Sequence, residues 1–193
     1  MTGRKVAVLD HGMGNLRSVA KALEAAGADV TVTDSRDEIE TADALCMPGQ
    51  GIFGRCVRNL ESRGDADLVK GWIDRDRPYL GICLGLQVLF ESSEEAEGDR
   101  GLGILAGTVE RLPAGVKVPH MGWNTVGDDY FYFDHSYAAQ PADPSIVTGW
   151  CDHGSRFAAR VETGPILGVQ FHPEKSGALG IELLRQWMEA SVT

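Results

Sequence analysis

Two kinds of apolar run alternate through the first half of the chain. Lys5-Val6-Ala7-Val8-Leu9 is apolar without a break after its first residue, the mark of a parallel strand buried on both faces. A Gly-rich loop, Asp10-His11-Gly12-Met13-Gly14-Asn15, follows; Leu16, Val19, Ala20, Leu23 and Ala26 then recur at helical spacing up to Gly27. Asp29-Val30-Thr31-Val32 predicts a second strand, and Ser35-Arg36-Asp37-Glu38 has the capping-box form for a short helix. Ala44-Leu45-Cys46-Met47 predicts a third strand that ends at Pro48-Gly49-Gln50-Gly51. Helical spacing over 54–74 leads through Arg77-Pro78 to a buried strand, Tyr79-Leu80-Gly81-Ile82-Cys83, and a helix over 84–90. Such alternation predicts an α/β fold with a flavodoxin-like, doubly wound, mostly parallel sheet.

The pattern changes in the second half. Residues 91–100 are acidic and polar and read as a surface loop. Strand-like segments at 107–112, 117–120, 130–134, 146–150, 156–161 and 166–170 are separated by turn residues. They are expected to be meandering, mostly antiparallel strands added to the same sheet, so that 1–193 forms one domain. A last helix carries Gly180, Leu183, Leu184, Trp187 and Met188 on one face.

Composition narrows the function classes. The chain has 193 residues, 43% hydrophobic and 24% charged, enough for a full core without staples. A net charge of −10 with no basic run argues against a nucleic-acid surface. Cys46, Cys56, Cys83 and Cys151 lie far apart with no C-x-x-C pair, and read as free thiols of a reducing compartment rather than metal or redox ligands. The opening residues run straight into a strand and no apolar run reaches membrane-spanning length. The cytoplasm is therefore the expected compartment.

Candidate chemistry centres on Gly81-Ile82-Cys83-Leu84-Gly85, where a buried strand turns into a helix. A residue on such a turn is forced into a strained backbone, and the flanking glycines remove side chains that would clash. The turn would leave the Leu84 N–H free as an oxyanion donor, and the helix start would favour a Cys83 thiolate. A tight turn holding an inert cysteine fits the same stretch when taken alone. His172 follows an apolar strand, with Glu174 two residues on; residues two apart in an extended segment share a face, so Glu174 can orient the imidazole as base to Cys83. The Gly12-Met13-Gly14 turn lacks the third glycine and the later acid of a dinucleotide site. The glycines after the third strand stand where open α/β sheets place ligands.

The Gly81 to Gln87 and Gln170-Phe171-His172-Pro173-Glu174 stretches resemble the signatures of class I (triad) glutamine amidotransferases, and Pro48-Gly49-Gln50-Gly51 resembles that family's oxyanion strand. Three further stretches, 10–19, Pro119-His120-Met121-Gly122-Trp123-Asn124 and His135-Ser136-Tyr137, with Lys175-Ser176-Gly177, resemble the glutaminase subunits of imidazole glycerol phosphate synthase within it. The resemblance implies a Cys83, His172 and Glu174 triad and no cofactor or metal. It implies an oxyanion hole from Leu84 and the Gly49, Gln50 and Gly51 strand, and glutamine held by Gln87, Ser136 and Tyr137. Ammonia would pass to a (β/α)8-barrel cyclase subunit docked near Asn15, His120, Met121, Trp123 and Asn124. Other synthases' glutaminase components, or an idle regulatory subunit, share the fold. Departures from the family pattern are Gln50 for a usual valine, His11 for a usual tyrosine, and Asp134 where an apolar residue is common.

Overall fold

The computed structural model describes residues 3–190; Met1 and Thr2, part of the opening read as running into the first strand, lie outside them. The first half alternates β1 (Lys5–Leu9), α1 (Leu16–Ala25), β2 (Asp29–Thr33), α2 (Arg36–Glu40), β3 (Ala44–Gly49), α3 (Phe53–Arg63), α4 (Asp65–Asp74), β4 (Tyr79–Cys83) and α5 (Leu84–Gln87). The second half holds β5 (Ser92–Ser93), β6 (Gly107–Arg111), β7 (His120–Val126), β8 (Asp129–His135), β9 (Tyr137–Pro141), β10 (Val147–Asp152), β11 (Arg156–Thr163), β12 (Ile166–Val169) and α6 (Gly177–Ala190). Seven strands form one sheet in the order β10-β11-β12-β4-β3-β1-β2. From β2 to β12 the pairing is parallel; β11 alone runs the other way, pairing antiparallel with both β12 and β10. The doubly wound α/β expectation is met.

Side-chain alternation on the central strands feeds two cores. Val6, Val8, Cys46, Leu80 and Ile82 pack with Val19 and Leu23 of α1 and Leu183, Leu184 and Trp187 of α6. Ala7, Leu9, Leu45, Met47 and Tyr79 pack on the other face with Phe53 and Leu60 of α3 and Leu68 and Trp72 of α4. The helix boundaries follow from local chemistry: Asn15 caps α1 by accepting from the Ser18 N–H, and Ser35 caps α2 by accepting from that of Glu38. Gly64, at φ 76, divides the single helical stretch expected over 54–74 into α3 and α4. No helix among the described residues is long and apolar enough to cross a membrane.

Several expectations are corrected. The helix after Cys83 ends at Gln87, not at 90, because the carbonyls of Val88, Leu89 and Phe90 accept N–H groups from the 102–105 segment instead of continuing the helix. The 91–100 stretch is not wholly a surface loop: Ser92 and Ser93 pair with β6, and Ser93 is buried. The strand placed at 117–120 begins at His120 and runs to Val126, and β9 was not expected. The added strands do not all join the main sheet. β5, β6 and β9 make a three-stranded sheet, and β7 with β8 forms a separate hairpin. That hairpin is fastened to the end of β12 by the His172 N–H donating to the Tyr132 carbonyl (2.8 Å) and by Phe131 stacked on Phe171.

Candidate active site

The triad and the Gly49 strand end lie at the carboxyl ends of the parallel strands β3, β4 and β12. Cys83, the last residue of β4, has φ 54 and ψ −106, a region that side chains other than glycine rarely enter. The neighbouring glycines permit it. A Cβ on Gly81 would meet the backbone of Gly85 and Leu86, and one on Gly85 would lie on the Met47 carbonyl oxygen of β3. Gly85 is therefore crowded by the neighbouring strand rather than by its own. The Tyr79 hydroxyl donates to the Gly85 carbonyl (2.9 Å) and ties the start of β4 to the turn above it. Leu84 opens α5, so its N–H has no partner within the helix.

His172 comes to the site from the segment after β12. Its Nδ1 lies 2.8 Å from Glu174 Oε1, with both side chains buried. The extended segment expected to form this pair is not found: Pro173–Lys175 is a 3-10 turn that folds Glu174 back under the ring. Ser176 fixes this turn, donating to the His172 carbonyl (2.6 Å) and accepting from the Tyr132 N–H. With Nδ1 committed to a carboxylate, Nε2 is the ring nitrogen left for Cys83, and it is buried. Burial by itself disfavours the imidazolium, but hydrogen bonds and charge from Cys83 and Glu174 outweigh it and push the His172 pKa up to about 10. A charged imidazole beside the Cys83 sulfur is placed to give its proton to a leaving group.

Gln170, fully buried, donates from Nε2 to Cys83 Sγ (3.5 Å). Gln87 donates from Nε2 to the Tyr137 carbonyl (2.8 Å) and to Gln170 Oε1 (3.0 Å). Both of its amide protons are thus used within the protein, and only its oxygen is left to face a ligand.

These groups open on a cavity of about 460 Å³ with Cys83 and Leu84 at its floor. Gln50 and Gly51 line one side, and Ser136 and Tyr137 also line it, with Glu95, Asp134 and Lys175 as its charged groups. Gly49 is paired with Cys83 across β3 and β4. The strand leading to it is pinned by His11, whose Nε2 donates to the Pro48 carbonyl at 2.7 Å. A carbonyl only accepts, so Nε2 carries the proton and Nδ1 faces Cys56 Sγ at 3.9 Å. Burial keeps His11 neutral by lowering its pKa.

The five residues expected at a partner face are divided. Asn15 is exposed at the start of α1. Met121 and Trp123 are each 57% exposed on the outer face of the β7–β8 hairpin. His120 points inward and is buried, hydrogen-bonded to His135 and Asn124; Asn124 also donates to the Asp152 carbonyl. Sequence reasoning missed Gln170 and Glu95. A polar residue inside the apolar run Leu167-Gly168-Val169-Gln170-Phe171 was a usable signal for the first. Nothing local marks Glu95, whose carboxylate accepts the Phe53 N–H at the start of α3. Among the described residues, no group of three or more His, Cys, Asp or Glu side chains is placed to hold a metal ion.

Residues 7–190 match the sequence model of the glutamine amidotransferase class-I family. The chain belongs to that family. Among curated class-I relatives, the imidazole glycerol phosphate synthase subunit HisH of Moorella thermoacetica is 45% identical, covering 96% of this chain and 95% of its own. HisH of Aquifex aeolicus is 44% identical, covering 95% of both chains. HisH of Methanothermobacter thermautotrophicus is 44% identical over 95% of this chain and 98% of its own. A crystal structure described as a glutamine amidotransferase superposes with a TM-score of 0.80 at 22% identity, covering 97% of this chain and 99% of that one. The backbone thus has the fold of that glutamine amidotransferase, in keeping with the family match.

Proposed function

We propose that this chain is the glutamine-hydrolysing subunit of imidazole glycerol phosphate synthase, acting in histidine biosynthesis in the cytoplasm. Full-length relatives at 42–45% identity carry that synthase's name, and four free cysteines suit a reducing compartment. The observation that carries the chemistry is the pair of contacts that joins Glu174 through the buried His172 to Cys83, which lines the cavity.

Cys83 Sγ attacks the side-chain amide carbon of glutamine, and the carbonyl oxygen becomes an oxyanion. The Leu84 N–H and an N–H of the Gly49, Gln50 and Gly51 strand receive that charge; one such donor is worth on the order of 3 kcal/mol of the barrier. His172 gives its proton to the departing nitrogen as the C–N bond breaks, releasing ammonia and leaving a glutamyl thioester. It then takes a proton from water, whose oxygen displaces the thiolate to give glutamate. Glu174 holds the ring in the tautomer that does this. Gln87, Ser136 and Tyr137 hold the glutamine, and the Glu95 carboxylate suits its ammonium group. A (β/α)8-barrel cyclase subunit receives the ammonia, docked on the exposed Met121 and Trp123 face and on Asn15; desolvated aromatic anchors of this kind dominate interface energetics.

Glutamate release from glutamine tests the reading, with the chain alone and with the cyclase subunit and its nucleotide ligand. Release should be low alone, rise sharply with the liganded cyclase and vanish in Cys83→Ala. Release indifferent to the cyclase would move the chain to another synthase. A stable complex without any release would leave only a regulatory subunit.

A further inference from the structure

A run of three hydrogen bonds leads from the cavity wall to the sulfur through the Tyr137 carbonyl, Gln87, Gln170 and Cys83 Sγ, at 2.8, 3.0 and 3.5 Å in turn. Its polarity is set at one end. The Tyr137 carbonyl can only accept, so the nitrogen of Gln87 faces it. The second proton on that nitrogen needs an acceptor, so Gln170 turns its oxygen toward Gln87 and its nitrogen toward the sulfur. The opposite flip of Gln170 would set two NH2 groups against each other, with Gln87 4% and Gln170 0% exposed. Buried donors left without acceptors are costly, so the orientation is locked.

We infer that Gln170 is a positioning residue for the nucleophile: its amide N–H holds Cys83 Sγ as an acceptor, favouring the thiolate and fixing its direction, with Gln87 as the lock. This rests on the reading of Cys83 as the nucleophile. An amide donor does a job that His172 does not. It cannot remove the thiol proton, so it never competes as a base, and its contact strengthens when the sulfur becomes charged, because hydrogen bonds to ions exceed those between neutral groups. Gln170 therefore acts on the thiolate, while His172 moves the proton.

The pH profile of Cys83 alkylation by iodoacetamide on the full chain, followed by the mass of the Cys83 peptide, tests this without glutamine or a partner. In Gln170→Leu, alkylation near neutral pH should slow about tenfold and the profile move up by about one pH unit, equivalent to about 1.4 kcal/mol. Gln170→Glu, of nearly equal size, should move it at least as far. Gln87→Met, which frees the flip, should move it less and in the same direction. Circular dichroism checks folding, and Gln170→Glu decides should the leucine variant not fold. An unmoved profile in folded Gln170 variants overturns the inference. Glutamine turnover is read separately: a chain that hydrolyses no glutamine yet shows the moved profile loses its proposed function and keeps the amide lock, and an active chain with an unmoved profile does the reverse.

Discussion

At Cys83 the backbone holds φ 54 and ψ −106 because strands on both sides leave no other path. A residue in such a region costs about 1–3 kcal/mol, and it persists only where the surroundings over-determine it. Gly85 is the measure of that constraint. Its Cα faces the Met47 carbonyl with no room for a methyl group, so Gly85→Ala must push β3 away from the turn or break the turn. We expect Gly85→Ala to lose several kcal/mol of stability, read as a fall in the denaturant midpoint, and to abolish glutamate release even where it folds. Retention of both would mean that the close approach is dispensable. At this scale the sequence was most informative about groups held by short-range motifs. Cys83 between glycines, and Glu174 two residues after His172, are visible because the contact partners are neighbours in the chain. Gln170, Glu95 and His11 act through partners 87, 42 and 37 residues away, and no local pattern encodes those meetings.

Among the elements, the strand entering Gly49 shows how a neighbouring loop sets peptide direction. Peptide planarity means that holding the Pro48 carbonyl toward His11 aims the Gly49 N–H the opposite way, toward β4 and Cys83. His11→Ala leaves that buried carbonyl without its donor, a loss of about 1–3 kcal/mol. It should lower the thermal midpoint by several degrees and reduce glutamine turnover in the complex, whereas His11→Tyr, with a hydroxyl donor, should recover part of both. Equal turnover in His11→Ala and the unmodified protein would mean that the strand holds its direction without the clamp. The same scale explains which elements were legible. The central parallel strands announce themselves because both faces are apolar. β7 does the reverse of the usual alternation, sending His120, Gly122 and Asn124 inward and Met121 and Trp123 outward, paired across the hairpin with Asp134 and Tyr132. A strand whose outer face is the apolar one does not read as a strand of an isolated domain, although it fits one made to be covered. β9 buries Ala138 and Ala139 in succession and ends in Pro141, so it carries no period of two.

Across the whole molecule, the buried histidines set opposing responses to pH. Burial first, then the charges of neighbouring histidines, lower the folded-state pKa of His120 from 6.5 to about 4 and that of His135 to about 3. His120 lies between His135 and a stacked His153, and His135 also feels His172, so each new proton would meet another. Between these values and 6.5 the unfolded chain binds protons that the folded chain refuses, so stability falls as the pH drops through that window. His172 has the opposite sign. Its folded pKa, raised to about 10, gives a contribution fully present below the unfolded value of 6.5 and lost as the pH rises through about 10. The two limbs meet near 6.5. Thermal unfolding of the chain alone, followed by circular dichroism from pH 4 to pH 10, should therefore give a highest midpoint near neutrality. The acid limb should fall by more than about 5 °C, since each kcal/mol is worth ~2–4 °C in a chain of this size. His135→Gln should flatten the acid limb and leave the alkaline one; His172→Gln should do the converse. A midpoint that is level from pH 4 to 6.5, or an acid limb unchanged in His135→Gln, would mean that these rings take up protons in place and that the hairpin opens to water without the chain unfolding.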